Sequence, residues 1–287
     1  MEDALPHAYS AMSLLCHTTL NYFSNRGLEG IQVSAAEVTI LDGRLAHLPG
    51  WQECGFELTR HSSAVTDWMD DSEIAAVHYS EIEELARKMT GADLALVSSH
   101  IRRSPADARR HHQLSPIPFV HSDFAAGHAD LIRRSYQESN EVEATLARNR
   151  ATADMVANAP RIVILQFWRN LGPAKMDYPI AFCDARSVTP AEGRAIHVTD
   201  YAGSGSNFDA LGIVVPDDPS RHEWYTFMEL SPDELVAFRT YDTDLVRDGK
   251  TWFTPHSAFR DPEVAVGEPA RTSIELRATC LFDLPAS

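Results

Sequence analysis

The stretch Arg161-Ile162-Val163-Ile164-Leu165-Gln166-Phe167-Trp168 is the run of this sequence that most strongly predicts a β-strand. Its β-branched and aromatic residues suit a pleated strand, and its scarcity of polar residues predicts burial on both faces. Similar but shorter runs, separated by turns rich in Pro, Gly and Asp, predict further strands at 179–183, 211–215, 222–228, 235–241 and 273–282. So many short strands in the C-terminal half favour a double-sheet jelly roll, the double-stranded β-helix. The expected fold class is therefore α+β, with a mainly β core and flanking helices.

The N-terminal half has a mixed pattern. Strands are expected at 37–41, 55–58 and 94–97, and the clearest helix spans 81–90, with Ser80 as its cap and Gly91 at its end. Residues 125–157 are rich in Ala, Glu, Arg and Leu and predict one or two helices. We expect a single domain, 1–287, in which an N-terminal helix and strand layer (1–110) covers a jelly-roll core (111–287) with a helical insertion at 125–157.

Composition limits the class of protein. The chain has 287 residues and a formal net charge of −16, which argues against nucleic acid as a partner because phosphate binding needs a concentrated positive surface. No apolar run is long enough for a membrane span, and the acidic N-terminus does not resemble a secretory signal. The four cysteines are scattered, as is typical of a cytoplasmic protein with reduced thiols. A homo-oligomer remains open.

The motif that carries chemistry is His121-Ser122-Asp123, followed 133 residues after Asp123 by His256 in Thr254-Pro255-His256-Ser257. Residues i and i+2 of a strand point to the same face, so His121 and Asp123 can reach one metal ion. A His-x-Asp pair with a distant second His is the sequence form of the two-His-one-carboxylate triad that holds Fe(II) in oxygenases. With 13 His and 41 acidic residues in the chain, the tripeptide alone is a weak signal, and its order and spacing with His256 strengthen it.

A second pair, Arg271 and Ser273, follows His256 by about fifteen residues on a predicted strand. A guanidinium takes a carboxylate in two hydrogen bonds, and a hydroxyl on the same face adds a third. Together with the triad, the pair predicts an oxygenase that uses Fe(II), O2 and the dicarboxylate co-substrate 2-oxoglutarate, which it decarboxylates to succinate.

A basic cluster stands out against the acidic chain. It comprises Arg102, Arg103, Arg109, Arg110, His111 and His112. We interpret it as a solvated loop; the alternative is a positive rim that steers 2-oxoglutarate or an acidic substrate into the site.

The order of motifs from about residue 55 to residue 280 resembles the hydroxylase/desaturase family of secondary metabolism related to the cephamycin cephem-methoxylase component. The blocks that carry the resemblance are Gly55-Phe56-Glu57-Leu58, His78-Tyr79-Ser80-Glu81, Ile101-Arg102-Arg103, His121-Ser122-Asp123, Trp168-Arg169-Asn170-Leu171, Phe182-Cys183-Asp184, Glu223-Trp224-Tyr225, Pro232-Asp233-Glu234, Pro255-His256-Ser257-Ala258-Phe259 and Arg271-Thr272-Ser273-Ile274-Glu275-Leu276-Arg277. The resemblance implies an iron- and 2-oxoglutarate-dependent oxygenase on a jelly-roll core that hydroxylates or desaturates a small-molecule natural product. Two departures, Phe124 where the family often has Gln and Asn170 where it has Pro, put the substrate in doubt rather than the metal.

Four further residues are candidates for substrate or co-substrate contacts. Arg169 either orients one of these molecules or forms an ion pair with Asp177 or Asp184 at its strand end. Tyr225 is favoured over its neighbour Trp224 to face the pocket, because a buried hydroxyl needs a partner. Phe124 adjoins the metal motif. Arg277 is about 20 Å along the strand from Arg271, too far to share one carboxylate. It faces the iron end or forms a core ion pair, and the structural role is favoured.

Two other functions share these features. A cupin-like metal isomerase has no need of Arg271 and Ser273, and an accessory protein of a biosynthetic pathway can keep iron without turnover. Asp123 fills the position that chloride needs in halogenases of this scaffold, so halogenation is disfavoured.

Overall fold

Two facing β-sheets form the framework of the chain. The computed structural model describes residues 14–24, 32–262, 264 and 269–285. Its strands are β1 (Leu14–Phe23), β2 (Val33–Asp42), β3 (Phe56–Arg60), β4 (Leu94–Leu96), β5 (His100–Arg103), β6 (His121–Ser122), β7 (Arg161–Asn170), β8 (Ile180–Cys183), β9 (Gly193–Val198), β10 (Phe208–Ile213), β11 (Trp224–Thr226), β12 (Glu234–Asp242), β13 (His256–Ala258) and β14 (Ser273–Phe282).

Strand pairing is almost entirely antiparallel. One sheet has the order β1-β2-β11-β8-β13-β6-β10-β9; the other has the order β3-β12-β7-β14-β4, with β5 also paired to β14. The only parallel ladder between named strands of the described chain is β2 with β11. Consecutive strands alternate between the sheets from β5 to β8 and from β11 to β14. The two facing sheets confirm the predicted jelly-roll fold class.

The helices lie outside the sheets. They are α1 (Asp71–Glu73), α2 (Tyr79–Thr90), α3 (Pro105–Arg110), α4 (His128–Glu138), α5 (Glu143–Asn149), α6 (Ala153–Ala157) and α7 (Thr243–Arg247), with a π-helical turn at Ile74–His78. α2 packs Ile82 and Ala86 against the outer face of the β7–β14 sheet. The strands before residue 110 extend both sheets at their edges.

The helix predicted at 81–90 is present, but its predicted cap is wrong. α1 begins at the side chain of Asp70, and the π-helical turn runs directly into α2. Ser80 is therefore inside a helix, where its hydroxyl donates to the Val77 carbonyl at 3.1 Å. The predicted end is correct: Gly91 adopts a left-handed φ of 73°, which a glycine accepts without strain.

The space between the sheets is filled by large apolar side chains. Trp168, Phe182 and Phe238 are buried there in one apolar cluster. A fully buried side chain of this size contributes about 2 kcal/mol or more through removal of apolar surface from water. None of the helices in the described ranges combines the length and apolar composition needed to cross a bilayer.

Candidate active site

His121, Asp123 and His256 meet at one end of the space between the sheets. One ligand atom from each lies within 4.8 Å of the others. Nε2 of His121 and Nε2 of His256 are both 3.8 Å from Oδ1 of Asp123, too far for hydrogen bonds. The three atoms thus face one another across a gap that suits an ion.

Backbone carbonyls fix the protons of both imidazoles. Nδ1 of His121 donates to the Phe119 carbonyl at 2.6 Å, and Nδ1 of His256 donates to the Thr254 carbonyl at 3.1 Å. A carbonyl only accepts, so the proton of each neutral ring is on Nδ1 and the lone pair of Nε2 is available to a metal. Burial lowers the pKa of His121 to about 4, so this ring is neutral at physiological pH.

The carboxylate of Asp123 has one oxygen occupied and one available. Arg277 donates from Nη2 and Nε to Oδ2, at 2.7 and 3.0 Å. Burial by itself raises the pKa of Asp123, but the Arg277 guanidinium and the two imidazoles outweigh it and hold the pKa below its usual range. Asp123 is therefore charged, and Oδ1 faces the imidazoles as a single ligand.

Strand register brings these residues together. His256 in β13 pairs with His121 in β6 on one side and with Phe182 in β8 on the other, so all three side chains lie on the inner face. Gly55, at a φ of +94°, supports this arrangement, because the Thr254 hydroxyl donates to its carbonyl at 2.9 Å. A Cβ at residue 55 would lie 2.4 Å from Thr254 Oγ1, so only glycine leaves Thr254 in place.

Arg271 is a buried guanidinium without an ion-pair partner in the described ranges. It is 4% exposed; its Nη1 reaches the Tyr178 carbonyl at 3.3 Å, and its Nε has no hydrogen-bond partner. The guanidinium stacks on Trp168, 5.6 Å from the ring centroid. Burial, aided by the nearby charge of Arg103, lowers the pKa of Arg271 to about 9. Ser273, two residues on and 1% exposed, points to the same face.

Arg103, Arg271 and Arg277 line the inner face of this region together with Asp123 and Glu275, and Asp177 lies beside Arg271. The three guanidiniums and three carboxylates balance before any metal binds. A divalent cation would make the region positive, which suits a small dianion.

Arg169 lies on the opposite face of the sheet, so its candidate contact with substrate or co-substrate is wrong. Its neighbour Trp168 faces inward beside Glu275, and Arg169 pairs in register with Ile274 on the outer face. The guanidinium donates to the carbonyls of Pro232 and His61 rather than to Asp177 or Asp184. The alternative ion pair is therefore wrong as well.

Tyr225 faces inward, and Trp224 faces outward against Tyr22. The Tyr225 hydroxyl donates to Glu223 at 3.3 Å, and Phe182 lies between Tyr225 and His256 in the register. Its side chain therefore contributes to the inner wall at a distance of two strands from His256.

Phe124 lies beside the group of His121, Asp123 and His256 on the helical side. Its ring stacks on His128 with centroids 3.7 Å apart, and Arg277 lies 5.6 Å from its centroid. Burial lowers the pKa of His128 to about 3, so this imidazole is a neutral polar group near the cluster.

The basic cluster at 102–112 divides into two parts. Arg109, Arg110 and His112 are exposed, as expected for a solvated loop. Arg103 is 4% exposed and donates to Glu275, so the loop interpretation is wrong for this residue. The Ile101-Arg102-Arg103 block is the sequence signal that separates it from Arg109, Arg110 and His112.

A second group with metal-ligand chemistry lies on the outer face of the other sheet. One nitrogen or oxygen atom from each of His61, His78 and Glu81 lies within 4.8 Å of the others. Their hydrogen bonds differ from those of the first group.

Comparison with known proteins identifies the family. A family model described as Oxidoreductase/YMDC permease-like domain matches residues 17–281. The chain belongs to this family. Among curated relatives, the hydroxylase/desaturase efuI of Hormonema carpetanum is 28% identical, with 80% of this chain and 77% of the relative aligned. The alpha-ketoglutarate-dependent dioxygenase phiK of Fungal sp. (strain ATCC 74256) is 26% identical, with coverage of 80% and 79%.

A solved structure supports the fold of this oxidoreductase. The iron and alpha-ketoglutarate-dependent endoperoxidase NvfI superposes with a TM-score of 0.71 over 95% of this chain and 99% of that one, at 17% identity. The predicted resemblance to the hydroxylase/desaturase family is confirmed by these relatives; the link to the cephamycin component stays a prediction.

Proposed function

We propose that this oxidoreductase is an Fe(II)/2-oxoglutarate-dependent dioxygenase that hydroxylates or desaturates a small-molecule natural product. His121, Asp123 and His256 hold Fe(II), and Arg271 with Ser273 binds the distal carboxylate of 2-oxoglutarate. The observation that carries the proposal is the cluster of two Nε2 lone pairs and one free carboxylate oxygen within 4.8 Å. The names of the aligned hydroxylase/desaturase and dioxygenase relatives support it.

The donor set fits the metal. Neutral imidazoles and one carboxylate suit Fe(II), and three ligands on one face leave positions for a chelating co-substrate and O2. When bound, the iron with O2 and 2-oxoglutarate supplies the oxidant, and 2-oxoglutarate leaves as succinate and CO2. Asp123 keeps its ligand position filled, so halogenation stays disfavoured.

The remaining residues bind the co-substrate, orient the imidazoles and exclude water from them. Arg271 offers a fixed guanidinium fork with an unpaired Nε, a geometry that recognises a carboxylate. Phe238 packs on His256 with centroids 4.9 Å apart, and Phe119 stacks on His121 at 6.4 Å. These rings shield the imidazoles from water and hold their planes. Phe124 and Tyr225 contribute to the inner wall that the substrate meets.

The reaction takes place in the cytoplasm on this proposal. All four cysteines are buried thiols, a state that a reducing compartment preserves. The chain's net charge of −16 is consistent with a small-molecule partner rather than nucleic acid.

An anaerobic absorbance titration with Fe(II) and 2-oxoglutarate tests the proposal. We expect a weak visible charge-transfer band in the wild type and none in His256→Ala. Arg271→Lys keeps the charge but loses the fork, so half-saturation of the band should need at least about 30-fold more 2-oxoglutarate, equivalent to about 2 kcal/mol.

Arg239→Lys is the matched control. Arg239 is also a buried guanidinium that donates to carbonyls, those of Trp51, Gln52 and Thr251, but these lie away from the cluster. Its titration should match the wild type. Bound iron without a band in the wild type would contradict the proposal and favour the isomerase or accessory function.

A further inference from the structure

A chain of buried polar contacts runs from Asp123 to the segment between β9 and β10. Arg277 Nη2 lies 2.7 Å from Asp123 Oδ2 and 3.6 Å from Glu275 Oε1. Arg103 Nη2 donates to the same Glu275 oxygen at 3.2 Å and to the Tyr201 hydroxyl at 3.0 Å. Of these residues, only Asp123 and Arg277 belong to the predicted site.

This series of polar contacts is held rigidly by burial and hydrogen bonds. Arg103 and Glu275 are 4% and 6% exposed, and Arg103 Nη1 donates to the Gln113 and Ser115 carbonyls at 2.7 and 2.9 Å. Glu275 and Arg277 lie on the inner face of β14, fixed by their register with Trp168 and Gln166 of β7. Apolar side chains would fill such a space at lower desolvation cost, so the ion pairs are not explained by stability alone.

Arg277 holds one oxygen of Asp123 although its fork is able to hold both. Guanidinium and carboxylate groups commonly form two parallel hydrogen bonds, one to each oxygen. Here Nε and Nη2 both donate to Oδ2, and Oδ1 stays with the imidazoles. Nη2 also lies near Glu275, which draws the guanidinium to one side of the carboxylate.

We infer that Glu275 and Arg103 are positioning residues for the metal-binding carboxylate. Glu275 holds the Arg277 guanidinium off Oδ1 of Asp123, and Arg103 holds Glu275. The Tyr201 hydroxyl accepts from Arg103 and ends this series of contacts. The inference rests on the proposed function, because it assigns Oδ1 to the metal.

Binding of Co(II) alone, followed by visible absorbance on the full chain without 2-oxoglutarate, tests the inference. In Glu275→Gln the charge that holds Arg277 is lost, and the guanidinium takes both oxygens of Asp123. We expect affinity for Co(II) to fall about 10- to 100-fold, the range for residues that orient a metal ligand. Arg103→Lys, which loses one contact to Glu275, should give a smaller decrease in the same direction.

The control is Glu83→Gln. Glu83, on α2, is 3% exposed and accepts from Nη2 of the exposed Arg148 of α5 at 2.6 Å, away from the cluster. Both variants lose a buried charge and should unfold at lower temperature. Only Glu275→Gln should lose Co(II) affinity.

A double variant separates positioning from general damage. Arg277→Lys in the Glu275→Gln background removes the fork that competes with the metal, so it should recover part of the lost affinity. A further loss in the double variant, or equal losses in Glu275→Gln and Glu83→Gln, would overturn the inference.

Failure of the proposed function gives a different result. If the wild type bound no Co(II), or Asp123→Ala bound it as well as the wild type, the metal assignment itself would be wrong. If Asp123→Ala abolished binding and Glu275→Gln bound like the wild type, the metal site would stand and the positioning role would be rejected.

Discussion

Two groups of two histidines and one carboxylate occur in the described chain, and they differ in where their protons are. In the inner group, His121, Asp123 and His256, each Nδ1–H is directed to a carbonyl and both Nε2 atoms are free. In the outer group, His61 Nδ1 accepts from Arg169 Nη2 at 2.7 Å. Because arginine only donates, this bond uses the Nδ1 lone pair of His61 and places the proton of the neutral ring on Nε2.

The outer carboxylate is also satisfied without a metal. Glu81 accepts from the Ser63 hydroxyl at 2.6 Å, from the Ala64 amide at 2.7 Å and from His78 Nδ1 at 2.7 Å. The guanidinium of Arg169 supplies the positive charge that a cation would bring. Ligand type and proximity are therefore shared by both groups, and proton placement and neighbouring charge separate the proposed metal site from a structural cluster.

The largest expected effect tests this difference directly. Asp123→Ala removes the free ligand oxygen of the inner group, so Co(II) affinity should fall on the order of 100-fold or more, beyond the loss for an orienting residue. Glu81→Ala should leave Co(II) affinity and a stoichiometry of one unchanged, although it lowers stability. An absorbance titration measures both. A stoichiometry of two in the wild type, reduced to one by Glu81→Ala, would remove the distinction between the groups.

A smaller effect concerns the response of the outer group to acid. Burial lowers the pKa of His78 to about 4, whereas the unfolded chain protonates this residue near its model-peptide value of about 6.5. Between these values the unfolded state binds more protons, so folding stability falls as the pH drops from about 6.5 toward 4. His78 alone should contribute a loss of about 1 kcal/mol between pH 7.5 and 5.5.

Urea unfolding of wild type and His78→Gln at these two pH values checks the prediction. His78→Gln lowers stability at both, but the change with pH should be about 1 kcal/mol smaller than in the wild type. An unchanged pH dependence in His78→Gln would show that His78 is not held neutral by the fold.

The inner group could be predicted from the sequence because two of its three residues are close together in the chain. His121 and Asp123 lie on one strand, and two residues on one strand have a known geometry. Arg103 and Glu275 are 172 residues apart, and only their pairing across β5 and β14 makes an ion pair of them. No spacing rule predicts such a contact, so spacing alone does not distinguish Arg103 from its exposed neighbours.

The error on Arg169 has a different cause. Where one face of a strand is exposed to solvent, alternation of polar and apolar residues shows which side chains point inward. β7 is buried on both faces from Ile162 to Asn170, so its composition does not indicate which side Arg169 takes. The register with β14 decides it, and that register is set by tertiary pairing.

The smallest expected effect comes from substitution of Arg169. It should give the outer group some of the metal-binding ability of the inner group. Arg169→Met removes the donor on His61 Nδ1 and the buried positive charge, so His61 regains a lone pair beside His78 and Glu81. Loss of a like charge also raises the pKa of His61, because Arg169 is second only to burial in lowering it. We expect a second, weaker Co(II) site in this variant. Arg169→Lys keeps the charge and should retain a stoichiometry of one. A single bound Co(II) in Arg169→Met would contradict this explanation. The geometry of the side chains, rather than proton placement and charge, would then keep the outer group free of metal.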